Sequence, residues 1–120
     1  MKLLDANMIL RYLLNDNEEM ASEVETLISE NAVQVTIEVM AEVVYVLKGV
    51  YSIERDKIKN SLLNFLSEVQ SDNMEVLKVG LETYAEESLD FVDCILYAYN
   101  RVRGYEIMTF DKRLRRLLNQ

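Results

Sequence analysis

The sequence predicts an α/β domain of three layers, α/β/α, built on a mainly parallel sheet of four to five strands. Short β-type runs alternate with helical apolar patterns along the whole chain, and no Pro-rich, Gly/Ser-rich or repeated segment interrupts them. The chain has 120 residues, 50% of them hydrophobic, which is enough for one core, so residues 1–120 are read as a single domain. Strands joined by helical crossovers lie parallel, with right-handed connections and helices on both faces.

The first strand is expected over 1–5 (MKLLD), followed by helices over 7–14 and 18–30. AVQVT, 32–36, reads as the second strand and leads into helices over 37–50 and 55–70. MEVLK, 74–78, reads as the third strand, with a helix over 80–88 after it. A helix over 91–103 ends at Gly104 as its C-cap, YEIMTF (105–110) forms the last strand, and a helix over 112–119 closes the chain. In open α/β sheets ligands bind beyond the carboxyl ends of the strands. Asp5 closes the first strand and Asp111 follows the last. Glu42 and Asp93 lie near the starts of helices that run back antiparallel to the strands, so all four carboxylates are expected at one edge.

The absent residues narrow the chemistry. With no histidine, neither a Ser-His-Asp nor a Cys-His nucleophile is possible, nor a zinc site built on imidazole. Three glycines, at 49, 80 and 104, spell neither a P-loop nor a dinucleotide-binding fingerprint. The opening MKLLDANMIL lacks a signal-peptide core and cleavage site, and charges interrupt every later apolar run. The protein is therefore expected to be soluble and cytoplasmic, without a membrane partner. Its single cysteine, Cys94, fits a reducing compartment.

A net charge of −8 argues at first against nucleic acid. Residues 101–120, however, carry a local +4, leaving −12 for the rest. The ordinary reading of that basic end is a solvated helix face with favourable C-terminal charges. A phosphate-facing patch is the other.

The acids are the chief anomaly. VMAEVVYVL, 39–47, is apolar except for Glu42, and FVDCILYAY, 91–99, is apolar except for Asp93. A lone carboxylate is costly to bury without a partner. Taken singly, each acid has a structural explanation: Asp5 and Asp111 as N-caps, Asp93 as a first-turn acid behind Ser88 or Asp90, Glu42 as an edge acid or one half of an ion pair. Taken together they do not, because capping does not require four acids at one edge, and like charges so placed repel unless a cation intervenes. Clustered carboxylate oxygens select Mg²⁺ or Mn²⁺. Such an ion acidifies an attacking water and neutralises a phosphodiester's developing charge.

LLDANMILRYLL, MAEVVYVL, DFVDCILYAY and MTFDKRLRRL resemble, in order and spacing, the successive motifs of PIN-domain ribonucleases. Size and the absence of accessory domains look most like VapC-type toxins of toxin–antitoxin pairs. The resemblance implies a PIN-like fold in which Asp5, Glu42, Asp93 and Asp111 bind Mg²⁺ or Mn²⁺ and hydrolyse RNA endonucleolytically, leaving a 5′-phosphate. It further implies an antitoxin partner. Asn7 matches a position that orients Asp5 or substrate, and Thr109 one that bonds Asp111 or a metal-bound water. Either could equally make an ordinary local hydrogen bond. Glu38 shares a face with Glu42, and Asp90 with Asp93. The later member of each pair is preferred because it interrupts an apolar stretch, with Asp90 left as support for a second metal or a water.

Arg11, Arg101, Lys112, Arg113 and Arg116 are candidates for contact with RNA phosphate. Tyr45, Tyr97 and Tyr99 fall inside apolar stretches and are expected to pack in the core or a subunit interface rather than stack on bases. The helix over 37–50 would suit a homodimer seam or an antitoxin groove. A haloacid-dehalogenase-like phosphatase would need an acid where Asn7 stands, and a phospho-receiver domain would need one after a middle strand. The stronger alternatives are a catalytically silent PIN-like module that binds RNA or protein, and an RNA-processing nuclease without an antitoxin.

Overall fold

Asp5, Asn17, Thr36 and Asp111 each stand just before a helix and turn a side-chain oxygen onto a backbone N–H three residues on. The acceptor distances are 2.9 Å to Met8, 3.0 Å to Met20, 3.2 Å to Val39 and 2.8 Å to Leu114. These N-caps satisfy donors the helix itself leaves unpaired. They start α1 (Ala6–Leu14), α2 (Glu18–Glu30), α3 (Ile37–Gly49) and α7 (Lys112–Leu118). The structure, a computed structural model, describes all residues from 1 to 120. Its remaining helices are α4 (Arg55–Leu66), α5 (Met74–Glu86) and α6 (Phe91–Arg103). Gly104 ends α6 at φ 70, donating its N–H to Asn100 O at 2.9 Å. That left-handed conformation is the one glycine adopts without strain.

The sheet is smaller than the sequence predicts. β1 (Lys2–Leu3) pairs in parallel with β2 (Val33–Gln34), and a single parallel bridge joins Gln34 to Gln70. The structure therefore forms two strands and a bridge where four to five strands were expected, and it is 67% helical. The expected helix over 55–70 stops at Leu66. There Ser67 Oγ donates to Asn64 O at 2.6 Å, and the turn delivers Gln70 to the sheet, where it exchanges 2.9 Å bonds with Val33 and Val35.

The expected strand over 74–78 is instead the first turn and a half of α5. Val76, Leu77, Gly80, Leu81 and Tyr84 are buried along one helical stripe that runs through Gly80, the residue the sequence reading took as a boundary. The expected strand over 105–110 is extended but joins no ladder. Its carbonyls are used otherwise: Asn100 Nδ2 donates to Tyr105 O at 2.9 Å and Arg115 Nε to Thr109 O at 2.6 Å.

With so little sheet, helices pack directly on helices: α1 on α2 and α3, α3 on α4 and α6, and α5 on α4 and α6. A continuous cluster of 27 buried residues runs through all of them, so there is one core. No helix is long and apolar enough to cross a membrane. The most extensive pairing, α5 with α6, depends on Gly80, because a Cβ there would lie 2.6 Å from the tip of the buried Ile95 side chain. Gly80→Val is expected to overpack this seam and destabilise the fold by about 1–3 kcal/mol. Denaturant titration would read this as a lowered midpoint at unchanged slope.

Candidate active site

The first turn of α6 carries two acids. Asp90 caps the helix by backbone position alone, with no side-chain cap bond, so its carboxylate is not engaged there. Asp93 is half-buried. Burial raises its carboxyl pKa from the ordinary value, and the charges of Asp111 and Asp90 push it further the same way. No cation contributes to offset them. α6 and α7 are packed together, which brings the Asp111 cap toward Asp93. Thr109 supports this end by accepting the Asp111 backbone N–H at 3.0 Å, so it holds the chain of Asp111 rather than its carboxylate.

Glu42 is exposed on α3 and faces a hollow of about 630 Å³ between that helix and the start of α6, with Asp90 on the opposite wall. Glu38 is exposed in the first turn of α3. Asp5 is exposed at the start of α1, where its carboxylate accepts from Met8 N rather than from Asn7. Asn7 itself borders a small hollow between α1 and α2 with Met8, Arg11 and Met20. Asp93 thus senses Asp111 and Asp90, and Glu42 lies across a hollow from Asp90. No three carboxylates are close enough to hold an ion between them.

The cations divide into engaged and free. Arg11 is tied to Asp16 at 2.9 Å and to the Tyr51 hydroxyl at 3.4 Å. Arg101 donates to the Tyr97 hydroxyl at 2.8 Å, and Arg113 to Ser88 O at 2.9 Å. Lys112 and Arg116 are exposed on α7.

Arg55 was missed from sequence. Its guanidinium lies 4.1 Å over the Tyr84 ring, and Nη1 sits 2.7–3.0 Å from the carbonyls of Tyr84, Glu87 and Leu89. It thereby fixes the turn from α5 into α6 and with it the start of the helix bearing Asp90 and Asp93. The one available signal was a cation as the first residue of a helix, where the dipole disfavours it. Tyr45 is a correction of the opposite kind. Of the two places expected for it, the core and an interface, the core is excluded, because it is 76% exposed in this chain.

The PIN domain family matches residues 2–118. The chain belongs to the PIN-domain family. No curated protein and no solved structure matches it. PIN domains are α/β folds of nuclease type, commonly hydrolases acting on RNA, and PIN-domain nucleases generally use divalent metals. The donor chemistry of this PIN domain fits such an ion. The groups that act on Asp93 are carboxylates, whose oxygens hard divalent cations prefer, and none of Asp90, Asp93 and Asp111 takes part in a salt bridge.

The same uncompensated charge has a cost in stability. A carboxyl whose native pKa is raised above its unfolded value favours folding when protonated, so its ionisation opposes folding once pH rises through the native pKa. Asp93→Asn is therefore expected to raise the melting temperature of the metal-free PIN domain at neutral pH, by on the order of a few degrees. The gain should shrink as pH falls into the carboxylate range. Thermal denaturation in chelator across pH reads both.

Proposed function

We propose that this PIN domain is a Mg²⁺- or Mn²⁺-dependent endoribonuclease with Asp5, Glu42, Asp93 and Asp111 as its metal-binding and catalytic carboxylates, and that it acts in the cytoplasm as the toxin of a type II toxin–antitoxin pair. The observation that carries the reading is Asp93, half-buried against the charges of Asp111 and Asp90 with no cation to offset them. A protein has little reason to keep that arrangement unless a bound ion repays it. When bound, the ion supplies positive charge at the scissile phosphate and acidifies the attacking water.

The chain's own residues do the positioning. Thr109 holds the backbone of Asp111, Arg55 sets the start of α6, and Lys112 and Arg116 are the exposed cations on α7 that would meet flanking phosphates. Arg11, Arg101 and Arg113 already hold the fold together, so phosphate would have to share them. The toxin reading carries an antitoxin and a second copy of the chain as partners, and the exposed Tyr105, Met108 and Phe110 are apolar side chains that such partners would cover.

Purified protein is expected to cleave RNA to 5′-phosphate ends in Mg²⁺ or Mn²⁺. Chelator should abolish the reaction, and Asp5→Asn or Asp93→Asn should slow it by about 100-fold or more. Cleavage that survives both chelator and substitution overturns the assignment. One observation favours a second reading: because no three acids sit close enough to share an ion, a silent RNA-binding module is the rival. Tight RNA binding in Mg²⁺ with no cutting would establish it. Growth arrest on expressing the wild type but not Asp93→Asn tests the toxin role.

A further inference from the structure

The hollow between α3 and the start of α6 does more than separate Glu42 from Asp90. Along α3 it is lined by Ala41, Tyr45 and Lys48, residues at the i, i+4 and i+7 spacing of one helix face. Glu42 precedes Tyr45 by one turn, about 4.5 Å along the axis, and Lys48 follows by the same step. The far wall is Phe91 and Val92, with Asp90 beside them. Acid, aromatic and cation therefore follow one another in that order along the helix.

Two features make this a built surface rather than a bare depression. Tyr45 is 76% exposed at the middle of a helix whose Met40, Val43, Val44 and Leu47 are buried, so a large aromatic ring is presented to solvent without packing on the core. Lys48 is exposed and takes part in none of the salt bridges, whereas the other cation at the hollow, Arg55, is occupied by three carbonyls. An unpaired cation one turn from a solvent-facing ring is the pairing that single-stranded nucleic acid recognises: the base stacks and the phosphate meets the charge. At about 630 Å³ the hollow has room for a nucleotide.

Building on the ribonuclease reading, we propose that this hollow is a nucleotide subsite, in which Tyr45 stacks on one unpaired base beside the scissile phosphate and Lys48 contacts that nucleotide's own phosphate. Stacking on a ring accepts any base, so the subsite selects for an unpaired strand rather than for a sequence. A base held in a duplex cannot reach the ring.

The test uses the full chain and a short single-stranded RNA. Tyr45→Ala is expected to raise KM about 5- to 100-fold with kcat little changed, the signature of lost binding rather than lost chemistry, while Tyr45→Phe keeps the ring and the wild-type KM. Lys48→Gln is expected to flatten the dependence of log affinity on log salt by about 0.7, one phosphate's worth for a single strand. Fluorescence anisotropy with intact acids and a single-stranded RNA analogue whose phosphodiesters resist hydrolysis reads the same losses without any cleavage. If the wild type cuts RNA but Tyr45→Ala and Lys48→Gln leave KM and anisotropy unmoved, the subsite is wrong and the nuclease stands. Where Tyr45→Ala instead changes the sedimentation of the protein with RNA affinity intact, the ring belongs to a protein interface and the proposal falls. Absence of both binding and cleavage in the wild type removes the subsite together with the ribonuclease reading.

Discussion

The seating of α6 on α5 is the constraint on which the rest of the structure depends. Gly80 permits the approach, Ile95 fills the space a side chain would have taken, and Arg55 bolts the connecting turn by its three carbonyl contacts. Three of the acids are then referred to α6. Its N-terminal turn presents Asp90 and Asp93, and its C-terminus reverses at Gly104 so that the chain returns through an extended segment to Asp111 and α7. Loosening the α5–α6 seam would not merely reduce stability. It would change the distance at which Asp93 senses Asp111.

That distance embodies a trade. The hydrophobic cluster stabilises a frame in which a partly desolvated carboxylate faces two others, an arrangement unfavourable in itself. Cys94, the next residue, illustrates the same burial without the function: its thiol is fully buried and pushed up to about 12, chiefly by desolvation, which leaves it protonated and inert. Burial suits a thiol that does nothing. For Asp93, its more exposed neighbour, it creates a demand for positive charge.

Much of this was legible from residue order because it is local. Capping needs only an acceptor at the right offset, so the starts of α1 and α7 follow from Asp5 and Asp111, and the C-terminus of α6 from Gly104. The bounds of α2 and α6 agree with the sequence pattern for the same reason. The sheet was not legible, because pairing is a matter of partners that periodicity does not name. MEVLK satisfies a strand's composition and a buried helix stripe equally, and packing on α6 decides for the helix. YEIMTF has the alternation of a strand, yet side chains from α6 and α7 bond to its carbonyls and no ladder forms. At the site, the single charges at Glu42 and Asp93 stood out as interruptions of apolar runs, whereas the exposure of Tyr45 could not, since a tyrosine among valines reads as core until the helix's outward face is known.

Charge distribution decides how an acidic chain can meet a polyanion at all. The acids of α2, with Glu18, Glu19 and Glu23 lining an open surface hollow, offer nothing to a phosphate and repel one. A strand of RNA following the least repulsive course would avoid that face. On the ribonuclease reading, the cations available to it lie on two of the helices that pack on α6: Lys48 on α3, and Lys112 and Arg116 on α7. Between them lie Glu42, Asp90, Asp93 and Asp111, which become attractive to phosphate only when a divalent ion has inverted their sign. Metal binding would thus be a condition for productive RNA binding as well as for the chemistry, and affinity measured in chelator should report only the flanking cations.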